Sequence, residues 1–208
     1  KGFAARMPAT TDLISALQSE DRQLQVAAAD VVRGLRGRRA VGALAKALPD
    51  LPASAQVFLI YVFAERGDNV LRDTVTAACG SDDAGVRAAA LAALGSLGDA
   101  TSIPVLLKGA MSDGAGERAA ALQSLVSLPG EATEEVLTSQ VAEAPAQEKT
   151  VIIRVLTARG VAKAVPMLLD VAVSGDQPVR RACLDALREL AGAEHWEGFE
   201  QCEHFGRH

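Results

Sequence analysis

The chain has 208 residues, 49% hydrophobic and 23% charged but only 3% aromatic. That balance is globular, and its abundant Ala and Leu cost least inside a helix. A net charge of −5 gives no field that attracts a phosphate backbone, and no apolar run approaches the roughly 18 residues of a membrane span, the longest being Val57 to Ala64. Nucleic acid and membrane insertion are therefore not expected of this segment.

In chain order, one pattern returns every 31 residues. A second-helix stripe begins with Leu13 and Leu17 and recurs as Leu44 and Leu48, Val75 and Cys79, Leu106 and Ala110, Leu137 and Val141, and Leu168 and Ala172. It ends at Phe199 and Glu203. A first-helix stripe runs in parallel: Ala29 and Val32, Ile60 and Phe63, Leu91 and Leu94, Leu122 and Leu125, Ile153 and Leu156, Leu184 and Leu187. Gly67, Gly98 and Gly160 fall just past first helices, with Pro129-Gly130 in the intervening slot. Glycine there is a helix stop that adopts the left-handed conformation freely. Pro104 and Pro166 fall in the first turn of second helices, where the missing amide hydrogen costs nothing.

The spacing predicts a half repeat at 1–19 and six helix-turn-helix repeats at 20–50, 51–81, 82–112, 113–143, 144–174 and 175–205. Each unit is too small to bury its own apolar face, so neighbours must stack. The expected fold is all-α, an α-solenoid forming one domain over 1–208. No linker, low-complexity segment or charge block is expected to interrupt it.

The run Asp82-Asp83-x-x-Val86-Arg87-x-x-Ala90-Leu91-x-x-Leu94-x-x-Leu97-Gly98-Asp99, followed by Ile103-Pro104-x-Leu106-Leu107, resembles a HEAT repeat, in particular the short bacterial PBS-lyase HEAT-like type. The resemblance implies a helical superhelix of the armadillo-like kind whose second helices line one face. It implies no single function, because such arrays serve unrelated roles.

Equivalent positions carry Gln25, Gln56, Arg87, Arg118, Lys149 and Arg180. The basic members read as a structural ladder, each arginine paired with an acid at the preceding turn (Asp82, Asp113, Asp176), or as a positive track for an acidic partner. Tyr61 stands in a column otherwise filled by Asp30, Ala92, Gln123, Arg154 and Asp185, so it is expected to face outward beside Phe58. Phe58 and Tyr61 are candidate partner contacts, as are Lys46 and Lys108 on the outward column of the second helices. Phe3 in the N-terminal arm is an alternative cover for that groove.

His195, Cys202, His204 and His208 are metal-ligand types without metal-site spacing. Trp196 and Phe199 fall on the apolar stripe, so the tail is expected to be a terminal cap, with no metal and no cofactor. Cys79, Cys183 and Cys202 form no CxxC pair or disulfide framework, which leans toward a reducing, cytoplasmic setting. No nucleophile, metalloprotease or phosphate-loop motif occurs, and there is no His-Glu dipeptide of the kind HEAT-like iron hydroxylases need. The expected function is a non-catalytic protein-protein interaction or scaffold module, part of a larger protein. The alternatives are an accessory subunit of a bilin-lyase-like enzyme, or a HEAT-like nucleic-acid-binding enzyme.

Overall fold

The structure is a computed structural model, and it describes residues 9–190. Among these residues there are twelve α-helices and no strand. The first helices are α2 (Arg22–Gly34), α4 (Ala53–Arg66), α6 (Ala84–Leu97), α8 (Ala115–Ser127), α10 (Ala146–Ala158) and α12 (Gln177–Leu190). Each begins 31 residues after the one before. The second helices are α1 (Thr10–Gln18), α3 (Arg38–Ala47), α5 (Arg72–Ala78), α7 (Ile103–Ala110), α9 (Glu131–Gln140) and α11 (Val165–Ser174). The half repeat supplies α1 alone. Phe3, Trp196, Phe199 and the histidine-bearing tail lie outside the described residues.

The chain divides into two compact units, Lys1–Gly98 and Asp99–His208. In the first, α2, α4 and α6 pack side by side, while α1 lies against α2 and α3, and α5 against α6. In the second, α8, α10 and α12 form the row, and α7 and α11 pack on α8 and α12. A second helix thus seats on the first helix of the following repeat, which is how hairpins without a core of their own share one. The fold is an all-α solenoid.

The two stripes are the core. Leu13, Leu44, Val75, Leu106, Leu137 and Leu168 are buried, as are Ile60, Phe63, Leu91, Leu94, Ile153 and Leu156. Each such side chain contributes about 1.5–3 kcal/mol by leaving water. Cys79, Leu122 and Leu184 are half-buried members of these columns. Leu24 and Val31 are exposed, whereas Ala55 and Val86, and Val62 and Ala93, in the same two columns are buried. Among the described residues no first helix precedes α1 to cover that side of α2.

The helix exits are of two kinds, and only one is the expected glycine stop. Gly67 and Gly160 have φ of 64° and 68°, and Gly67 donates back to the carbonyls of Phe63 and Ala64. Gly98 does not follow them: its φ is −74°, extended, and the chain restarts through the Asp99 carboxylate accepting from the Thr101 amide. Helices α2 and α8 likewise leave through an extended residue, Leu35 and Leu128. In those two repeats the positive φ falls later, at Gly37 (109°) and Gly130 (94°), just before the second helix.

Candidate functional site

The expected basic ladder is a set of latches. Arg87 Nη1 donates to the carbonyls of Ser81 and Asp82, at 2.9 Å each. Arg118 Nη1 donates to those of Ser112 (2.7 Å) and Asp113 (3.0 Å), and Arg180 to Ala172 (3.1 Å) and Gly175 (3.4 Å). These carbonyls end the preceding second helix and its loop, where helical partners run out. The neutral members of the column do the same work. Gln25, 2% exposed, donates to the Ser19 carbonyl at 2.7 Å and accepts from the Ser54 hydroxyl. Gln56 donates to the Leu51 carbonyl at 2.8 Å. What recurs is a donor of the right reach; charge is optional. Lys149 is half-buried and lies close enough to Cys183 to act on its thiol.

A second set of latches was not legible in the apolar stripes. Arg66 Nη1 donates to the carbonyls of Val32, Arg33 and Leu35, the orphan end of α2. Arg159 Nη1 donates to those of Leu125, Val126 and Leu128, the end of α8. The two arginines are 93 residues apart, three repeats, in a column where Leu35, Leu97 and Leu128 are buried. Asp68 pairs with Arg66 at 2.9 Å, while Glu134 stands 3.7 Å from Arg159 and 3.3 Å from Lys163. The end of α6 is met differently, by Arg72 Nε on the Leu97 carbonyl at 2.8 Å. Extended exits therefore draw an arginine. The signal was the Arg-Gly pair repeated at 66–67 and 159–160.

Tyr61 is 48% exposed on α4. Phe58, one turn earlier and half-buried, carries the Arg22 guanidinium 5.7 Å from its ring centroid, within cation–π range. One turn later Glu65 pairs with Arg33, which also pairs with Asp30. Glu65, the larger influence, and Asp30 push the Arg33 pKa up, so the guanidinium is firmly charged. The first-helix face of α2 and α4 thus places an exposed phenol among paired charges. Lys46 is exposed and lines a hollow between α3 and α5 with Pro49, Gln56, Thr74, Ala77 and Asp82. Lys108 is exposed on α7, in the other compact unit.

Burial pushes the thiols of Cys79 and Cys183 up to about 11, so both are protonated and unreactive near neutral pH. Among the described residues no group of three His, Cys, Asp or Glu side chains gathers as a metal site requires. No described helix is long and apolar enough to cross a membrane.

Residues 44–126 match the family model of HEAT repeats. No curated protein matches the sequence. Among solved structures, the complex of CpcE and CpcF of phycocyanin lyase from Nostoc sp. shares 19% identity over 95% of this chain and 84% of that one, with a TM-score of 0.50. Human deoxyhypusine hydroxylase shares 18% identity over 93% of each chain, with a TM-score of 0.40. An engineered protein shares 19% over 87% of this chain and 96% of that one, at 0.44. Residues 44–126 thus match HEAT repeats, and the same 31-residue period of helices continues on both sides of them in an all-α solenoid.

Proposed function

We propose that this array is a non-catalytic module that binds a protein partner, with Tyr61 as an anchor of the contact. The observation that carries the reading is an aromatic side chain 48% exposed in a column otherwise given to Asp, Ala, Gln and Arg. Tyr and Arg are the residue types that dominate binding hot spots, and both are here, with Arg22 over the Phe58 ring. The partner is a protein rather than a nucleic acid, in keeping with the net charge of −5.

The test is retention on immobilised protein from an extract of the source organism, comparing the wild type with Tyr61→Ala. A polypeptide retained in stoichiometric amount by the wild type and lost from the variant, with the melting temperature unchanged, is the expected result. Equal retention by both removes Tyr61 from the contact. A second reading, an accessory subunit of a bilin-lyase-like enzyme, draws on the likeness in fold to a lyase that is itself a complex of two proteins. Its test is chromophore attachment to a phycobiliprotein by this chain with a supplied partner subunit.

A further inference from the structure

Residues 31–49 hold five cations, Arg33, Arg36, Arg38, Arg39 and Lys46, and no acid, in a chain whose net charge is −5. Three of them fall within residues 36–39. Arg33 is occupied by Asp30 and Glu65. Arg36, Arg38 and Arg39 are different. All three are exposed, and among the described residues none makes a hydrogen bond or an ion pair. Their neighbours show how readily this fold pairs an arginine when stability is served, since Arg66 meets three carbonyls and a carboxylate.

The placement also opposes local stability. Arg38 and Arg39 open α3, whose preceding residue, Gly37, supplies no side-chain cap. The positive end of a helix dipole favours Asp or Glu in that turn and disfavours arginine. A sequence that breaks a local rule without an internal compensation points to an external one. Beside this turn lies a hollow lined by Arg38, Val41, Arg66, Asp68, Asn69 and Val70, with Val70 66% exposed. Guanidinium forks at its edge and an aliphatic wall beside them suit a chain in which carboxylates alternate with apolar side chains.

We propose that the turn between α2 and α3 is a docking point for an acidic polypeptide segment, whose carboxylates pair with Arg36, Arg38 and Arg39. The inference rests on the protein-binding reading above and names the chemistry of the partner. Nucleic acid fits less well. The lining has no aromatic ring for a base to stack on, whereas Val41 and Val70 offer aliphatic surface to an apolar side chain.

The experiment is fluorescence anisotropy with a labelled peptide alternating Glu and Leu, titrated with the whole chain at low salt, beside the same peptide with Gln for Glu. Expected is binding of the Glu peptide alone, weakening as salt rises. The triple variant Arg36→Gln, Arg38→Gln, Arg39→Gln should bind about tenfold more weakly or worse, because three exposed pairs are lost together. The double variant Arg38→Glu, Arg39→Glu should lose binding while melting no lower than the wild type, since acids then face the dipole. Equal affinity in the triple variant, equal binding of the Gln peptide, or tighter binding of single-stranded DNA or of phosphatidylserine vesicles would overturn the proposal. If Tyr61-dependent retention persists while the peptide fails to bind, this inference falls and the protein-binding reading stands.

Discussion

Arg33-Gly34 and Arg66-Gly67 are the same dipeptide near the ends of successive first helices, and they do opposite things. They lie 33 residues apart where the repeat is 31. That offset of two residues turns Arg33 outward to Asp30 and Glu65, while Arg66 turns inward and closes the end of α2. Gly67 sits at φ 64°, whereas Gly34 is still within the helix. Register, more than residue type, decides whether an arginine here is structural. A position two residues away is free to serve the surface.

The sharpest way to break this comparison is to remove each arginine in turn. Arg66→Ala leaves the carbonyls of Val32, Arg33 and Leu35 without their donor in a half-buried setting. It should cost about 1–3 kcal/mol in a denaturant melt. Arg159→Ala, three repeats on, should cost a similar amount for the same reason at the end of α8. Arg33→Ala should leave the melt close to that of the wild type, because its partners are exposed. Equal losses at 33 and 66 would mean that carbonyl closure is not what holds these exits.

The same offset explains what could be read from the sequence. Apolar columns tolerate no slip, because a misplaced leucine meets water, so Leu44, Leu94 and Leu106 announce the fold by period alone. Tyr61 was found by its misfit to a polar column and is exposed as its position implies. The arginine latches were missed because Arg66 and Arg159 replace leucines and break the stripe that defined the repeat. The partners of Arg118 and Arg180 were misjudged for a related reason. An acid four or five residues upstream suggests an ion pair, yet the acceptors found are main-chain carbonyls of the preceding helix end and loop. Main-chain acceptors carry no residue signature. The unpaired cluster at 36–39 was hidden by averaging charge over a chain that is acidic overall.

Backbone substitutions sharpen the comparison on a smaller scale. A Cβ at Gly34 or at Gly67 meets nothing within 4 Å, so packing does not separate them. Only φ does. Gly67→Ala should cost about 1–2 kcal/mol, the penalty of a left-handed alanine. Gly34→Ala should gain about 0.4–1 kcal/mol by stiffening the unfolded chain. Opposite signs in paired thermal melts are the expected outcome, and the same sign at both sites would show that Gly34 does not stay helical.

The smallest effect belongs to the column that looked most like a charged track. Arg118 is exposed and donates to the carbonyls of Ser112 and Asp113, a task that Gln56 performs toward Leu51 in its own repeat. If a donor is all the position requires, Arg118→Gln should change stability by no more than about 0.5 kcal/mol. Arg118→Ala, which supplies no donor, should cost about 1 kcal/mol. The difference between the two variants is the informative quantity, because both lose the same charge. A glutamine as damaging as the alanine would show that charge matters at this column, and would return Arg87, Arg118 and Arg180 to the candidates for binding an acidic partner. A glutamine that rescues leaves the exposed arginines of the turn at 36–39 as the basic surface proposed for an acidic partner.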